Sequence, residues 1–141
     1  MTYKVAGFFS GVGGIELGFQ QAGFDIIWGN EYDPKAAETF RLNFSHKLIE
    51  EDIEKLEREM IPNVDVVTAG FPCQAFSIAG YRKGFEDDRG NLFFDVIRLI
   101  KEEEGKDYTY PRVLFLENVK NLVGHDDGNT YKVILETLSH H

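Results

Sequence analysis

The sequence predicts an α/β fold built on a doubly wound, mainly parallel sheet. Short apolar runs of strand length alternate with helical patterns along the chain, the arrangement expected of parallel strands joined by helical crossovers. Residues suited to chemistry follow one strand after another, and ligands bind beyond the carboxyl ends of strands in such sheets. The strand-like runs are residues 3–9, 26–30, 64–69 and 113–116, with a weaker one at 47–49. Helical patterns fall at 15–22, 34–43, 53–60, 92–103 and 130–138. Pro34 suits a first helical turn, and Asp33 before it is a good N-cap. Residues 70–91 form the one long irregular stretch, and loops of that length are often functional. With no internal repeat, low-complexity tract or linker, a single domain over residues 1–141 is expected.

Composition narrows the class without choosing a function. At 141 residues and 43% hydrophobic content, the chain is long enough to bury its own core. No apolar run approaches the roughly 18–20 residues of a membrane span, and nothing near Lys4 reads as a signal peptide. The single cysteine, Cys73, excludes an intrachain disulfide, so a reducing cytoplasm is the expected setting, and no metal is expected because Cys73, His46 and His125 show no ligand spacing. The net charge of −9 argues against a complete DNA-binding protein, because phosphate contacts need clustered Lys and Arg. An acidic enzyme acting on a small molecule remains open, as does a DNA-acting protein whose basic surface lies on other sequence.

The first strand runs into Phe9-Ser10-Gly11-Val12-Gly13-Gly14 and then a helix. Glycines allow positive φ and a close approach of backbone to ligand. The Gly-x-Gly-Gly spacing departs from the dinucleotide pattern Gly-x-Gly-x-x-Gly and favours a nucleoside without a pyrophosphate. Glu31 ends the second strand 17 residues beyond Gly14, where a ribose-binding carboxylate is expected. Tyr32 is placed to lie against an adenine ring. Asp52, after the weak third strand, is placed to accept from an exocyclic amino group. The bland alternative is a tight strand-to-helix turn with surface acids.

The fourth strand delivers Gly70-Phe71-Pro72-Cys73-Gln74-Ala75-Phe76-Ser77 to the same edge. A lone cysteine is more often a small core residue, but one following Gly and Pro at a strand exit is poorly placed for that. A thiol of pKa about 8.5 is only ~3% thiolate at pH 7, so a nucleophilic Cys73 needs activation by its site. Glu117 follows the fifth strand in Phe115-Leu116-Glu117-Asn118-Val119, where burial would raise its pKa and let it hold a proton. The competing role for Glu117 is a helix cap.

These segments, in this order, resemble the motifs of the cytosine-5 DNA methyltransferases: Phe9 to Gly14, Asn30-Glu31-Tyr32-Asp33, Gly70-Phe71-Pro72-Cys73-Gln74 and Glu117-Asn118-Val119. The run from Gly84 through Asp88-Arg89-Gly90-Asn91-Leu92 to Phe94 is also similar to that family. The likeness is greatest to the bacterial enzymes of restriction–modification systems.

The resemblance implies a Rossmann-like fold, S-adenosylmethionine as methyl donor and double-stranded DNA as substrate. Cys73 would attack C6 of a flipped-out cytosine, and Glu117 would bond to N3 and the amino group. Phe9, Gly11, Gly13, Gly14, Glu31, Tyr32, Asp52, Ile53 and Leu92 would hold the cofactor. Phe71, Pro72, Asn118 and Val119 would line the base pocket, while Ser77, Arg82, Lys83 and Arg89 would meet DNA phosphates. Many relatives carry Asp where this chain has Gly7, so one cofactor-side contact is expected to be missing. The family's later arginine motif, target-recognition region and final motif do not follow Leu138-Ser139-His140-His141. The resemblance therefore implies the N-terminal portion of such an enzyme, its sheet incomplete at the C-terminus, requiring a C-terminal half or complementing subunit. A transfer-RNA cytosine-5 methyltransferase and a non-catalytic cofactor-binding subunit are the alternatives.

Overall fold

The computed structural model describes residues 2–72, 92–101 and 105–139. They divide into two compact units, the first within residues 2–71, 92–101 and 105–117 and the second at residue 72 and within 118–139.

The first unit holds a sheet of five parallel strands: β1 (Lys4–Phe8), β2 (Asp25–Glu31), β3 (Lys47–Glu50), β4 (Val66–Ala69) and β5 (Val113–Leu116). Their spatial order is β3-β2-β1-β4-β5. The chain winds outward from β1 to β3, then returns to β1's other side and winds the opposite way. The reversal at β1 is the topological switch point of a doubly wound sheet. Helix α1 (Gly14–Gln21) joins β1 to β2, and α2 (Pro34–Asn43) joins β2 to β3. Helix α3 (Leu92–Ile100) precedes β5.

Burial follows the strand order. Every residue of β4 is buried, as are Val5, Ala6 and Phe8 of β1. Phe8 meets Trp28 edge-on at 5.3 Å between ring centroids, across β1 and β2. In α3, Phe93, Val96, Ile97, Leu99 and Ile100 face inward, and Phe93 lies 5.6 Å from Phe71. Strand β5 pairs only with β4 among the described residues, and it alternates exposed and half-buried positions. Asp33 caps α2, its Oδ1 accepting the Ala36 N–H at 2.8 Å, with Pro34 in the first turn as the sequence suggests.

Two sequence expectations need correction. Residues 53–60 are not an α-helix but two single 3₁₀ turns, Ile53–Lys55 and Arg58–Met60, split by Leu56 and Glu57 in extended backbone. Burial of Leu56 and Ile61 wins over helical periodicity here. The turn carbonyls find arginine donors instead: Arg98 donates to Ile53 O and Leu56 O, and Arg58 to Ile61 O. The first strand stops at Phe8, because Phe9 has φ 55° and leaves the extended region.

The second unit contributes 3₁₀ turns at Lys120–Leu122 and His125–Gly128, then α4 (Asn129–Ser139). Asp126, Asp127 and Gly128 all have positive φ. The turn is joined to α4 by the 2.7 Å contact of His125 Nδ1 with Thr130 Oγ1. No helix among the described residues is long and apolar enough to cross a membrane.

Candidate active site

The carboxyl ends of β1, β2, β3, β4 and β5 lead in the first unit to Phe9 and the glycines, Glu31, Asp52, Phe71 and Glu117 respectively. At β1, the turn is shaped by three left-handed residues: Phe9 (φ 55°), Gly11 (φ 56°) and Gly13 (φ 92°). For a bulky residue such as Phe9 this conformation is an outlier, of the kind that clusters at ligand sites. The Ser10 N–H donates to Asn30 O at 2.9 Å, and Gly13 N–H to Ser10 O at 2.8 Å, closing the turn against β2. The glycines serve different ends. A Cβ on Gly13 would strike the Phe44 ring, whereas one on Gly11 or Gly14 would meet nothing within 4 Å. Gly13 is thus a packing requirement, and the turn is open above Gly11 and Gly14.

Glu31 closes the cradle. It is 7% exposed, its Oε2 accepts the Gly11 N–H at 2.8 Å, and its Oε1 accepts the Asp33 N–H at 2.8 Å. Each oxygen keeps lone-pair capacity for a ligand hydroxyl. Tyr32 beside it is 69% exposed, leaving a ring available for stacking. At the end of β3, Asn30 Nδ2 donates to Ile49 O and Glu51 O, tying this segment to β2. Asp52 is half-buried and caps the next turn, its Oδ1 accepting the Glu54 N–H at 3.1 Å. Ile53 is buried, so its side chain belongs to the core while its backbone borders the edge. Leu92, at the start of α3, is half-buried. An open turn, a buried acceptor carboxylate, an exposed aromatic and a further acid fit an adenosine group.

Two features here escape a reading of sequence. Glu16, on α1, is 1% exposed, and its Oε2 has no hydrogen-bond partner. Burial pushes its carboxyl above the usual range, and Glu31 nearby adds to the rise, while the Ser10 hydroxyl pulls it down. Its Oε1 lies only 2.1 Å from where a Cβ on Gly7 would stand. The space that a side chain at position 7 would occupy therefore holds a carboxyl delivered from α1. Asn30 was legible only as part of the motif around Glu31, with nothing local to reveal its two carbonyl partners.

At β4 and β5, Phe71 is buried, and Glu117 N–H donates to Ala69 O at 3.0 Å. Glu117 Oε2 lies 3.3 Å from where a Cβ on Gly70 would stand, so the acid reaches across to the exit of β4. The expected burial of Glu117 is not observed: the residue is exposed. It follows the strand that is outermost among the described residues, whose alternate positions are exposed. Pro72, Asn118 and Val119 fall in the second unit, where Asn118 Oδ1 accepts the Val119 N–H. Cys73, Ser77, Arg82, Lys83 and Arg89 lie outside the described residues. An open cleft of about 470 Å³ lies apart from this edge, near the start of β2, and includes Asp25, Arg41, Phe44 and His46.

The parallel order with its switch at β1, and the glycine turn clamped by an acid from β2, define a Rossmann-like methyltransferase fold. The family model for C-5 cytosine-specific DNA methylases matches residues 3–141, and the chain belongs to that family. It is 56% identical over 137 residues to the type II methyltransferase M.Bsp6I of Bacillus sp. (strain RFL6), covering 96% of this chain and 42% of that protein. It is 45% identical over 131 residues to M.HhaI of Haemophilus parahaemolyticus, covering 93% of this chain and 38% of the relative. A crystal structure of a prophage-encoded DNA modification methyltransferase (E. coli) matches with TM-score 0.74 at 27% identity, covering 99% of this chain and 38% of that one. The S. pombe Dnmt2 structure, at TM-score 0.70 and 19% identity, covers 97% of this chain and 41% of its own, and shares the fold. The chain thus spans about two fifths of the curated relatives' length.

Proposed function

We propose that residues 1–141 form the cofactor-binding and catalytic part of a DNA cytosine-5 methyltransferase that uses S-adenosylmethionine. The observation carrying this reading is the clamp between the buried Glu31 carboxylate and the Gly11 N–H, which makes one cradle from the ends of β1 and β2. Phe9, Gly11, Gly13, Gly14, Glu31, Tyr32, Asp52, Ile53 and Leu92 would hold the cofactor, Gly13 and Ile53 through backbone placement. When bound, S-adenosylmethionine supplies an electrophilic methyl group.

The chain's own residues do the rest. The Cys73 thiolate adds to C6 of an extruded cytosine, forming a C–S bond and placing electron density at C5. Glu117 holds N3 and the 4-amino group, stabilising that charge. After methylation, departure of the C5 proton restores the ring double bond and expels the thiolate. Phe71, Pro72, Asn118 and Val119 line the base pocket, and Ser77, Arg82, Lys83 and Arg89 contact phosphates. A complementing C-terminal segment supplies sequence readout.

The test mixes this chain with the C-terminal part of M.Bsp6I and follows labelled methyl transfer. Methyl groups should appear at C5 of cytosine in duplex DNA, and Cys73→Ser should abolish the signal, since the hydroxyl is a far weaker nucleophile at neutral pH. Transfer to transfer RNA alone would replace the substrate assignment. A serine variant keeping about a tenth of the activity would remove Cys73 from the mechanism.

A further inference from the structure

Segment 52–56 carries two of the proposed cofactor residues, yet it has little regular structure of its own to hold it. It follows the four-residue strand β3 and consists of one 3₁₀ turn flanked by two extended residues, Asp52 and Leu56. Backbone groups that leave a regular ladder need other partners, or their burial is costly. Here the Ile53 carbonyl accepts the Leu56 N–H at 3.1 Å within the turn, and one side chain then reaches both it and the Leu56 carbonyl. Arg98 donates to Leu56 O through Nη1 at 2.9 Å and to Ile53 O through Nη2 at 3.1 Å. The guanidinium is itself aimed by Asp95, whose Oδ1 accepts from Nε at 3.2 Å and from Nη2 at 2.9 Å. Only a planar fork of fixed donors can serve two carbonyls and a carboxylate together, and a lysine ammonium cannot reproduce it.

Arg98 and Asp95 both lie on α3, the helix that opens with Leu92. The clamp therefore joins two stretches of backbone that border the proposed adenosine site, one bearing Asp52 and Ile53, the other Leu92. From the opposite side, Asn30 Nδ2 grips Ile49 O and Glu51 O. Asp52 is held between these two anchors.

We infer that Arg98 is a positioning residue: through Ile53 and Leu56 it sets Asp52 at the adenine end of the cofactor site and ties that end to α3. It touches neither cofactor nor substrate in this role. The inference rests on the reading of segment 52–53 as part of the cofactor site.

Binding of S-adenosylhomocysteine and its inosine analogue S-inosylhomocysteine to the full chain, measured by calorimetry, tests it. The inosine analogue replaces the exocyclic amino group with a carbonyl oxygen, so the ratio of the two dissociation constants reports on Asp52. Wild type should prefer the adenosine compound, and Arg98→Met should cut that preference about tenfold by weakening adenosine binding alone. Arg98→Lys should fall between. A merely destabilised protein would lose both ligands in proportion and leave the ratio unchanged. If Arg98→Met does not fold, Asp95→Asn, which frees the guanidinium without removing it, should lower the ratio in the same direction. An unchanged ratio in the folded variants overturns the role of Arg98 alone. Failure of wild type to bind S-adenosylhomocysteine, or to prefer it, overturns the reading of the site and this inference with it.

Discussion

Gly7 and Glu16 behave as one unit, and neither reveals the other in the sequence. A methyl group on residue 7 would meet the Glu16 carboxyl, which is buried and cannot swing into solvent. Gly7→Ala should therefore lower stability by about 1–3 kcal/mol, the usual cost of overpacking. Gly7→Ala combined with Glu16→Ala should lose less than the two single changes added together, because the new methyl then enters vacated space. Urea unfolding of the four proteins measures the coupling, and strict additivity would separate the two residues. The carboxyl also makes stability depend on pH. Its folded value lies above the ordinary 4.5, chiefly through burial, so its contribution is complete below about that pH and is lost as pH rises through the folded value. Glu16→Gln should flatten this decline, as read from unfolding midpoints across the acid range. An identical slope in both proteins would place the titration elsewhere. Glu31 was legible because an acid directly after a strand is a local signal. Glu16 was not, because its burial depends on a missing side chain nine positions earlier on another element. The expected burial of Glu117 failed for a related reason: the apolar residues before it belong to the strand that is outermost among the described residues, which local sequence does not distinguish from an inner one.

The elements set by local signals came through well. Alternating strands and helices, the Asp33 cap, the Pro34 start and the placement of each motif after a strand all follow from short-range pattern. The segment 53–60 did not, although Ile53, Leu56 and Met60 show helical spacing. Its residues gain more from burying Leu56 and Ile61 in a bent path than from completing a helix, since arginines replace the lost ladder. That trade needs partners 40 or more residues away, such as Arg98, which sits 42 residues from Leu56. Arg58 acts locally by contrast: its Nη1 donates to Ile61 O, three residues on, at 2.7 Å, while its guanidinium lies 4.3 Å over the Tyr108 ring. Arg58→Met should cost about 1–2 kcal/mol, combining a charged hydrogen bond with a cation–π contact. Thermal unfolding measures it, and a loss of helical circular dichroism beyond that of global unfolding would mean the segment is more helical than described.

At the scale of the whole molecule, charge and coverage bear on DNA. A net charge of −9 repels phosphates at long range, and specific readout needs side chains held against base edges. The chain also spans only 42% and 38% of two relatives named as methyltransferases. Alone, it should bind duplex DNA weakly, without sequence preference and with affinity falling as salt rises. Fluorescence anisotropy with matched and scrambled duplexes measures this. A sequence-selective dissociation constant near 10⁻⁸ M, within the usual range of about 10⁻⁸–10⁻¹¹ M for specific complexes, would place a recognition surface within these 141 residues.

The strand order also sets a timetable for synthesis. Val5 of the central strand pairs with Ile26, 21 residues later, but its other neighbour, Val66, follows 61 residues behind it. At roughly 5–20 residues per second on a ribosome, one flank of β1 waits about 3–12 seconds for β4 to be made. During that interval the central strand, four of whose five residues end up buried, presents an open row of backbone donors and acceptors, a template for any passing extended chain. Synonymous codons that slow translation between Val5 and Val66 should therefore lower soluble yield without altering a single residue. The same slowing placed after Leu116, once the five described strands have been made, should leave yield unchanged.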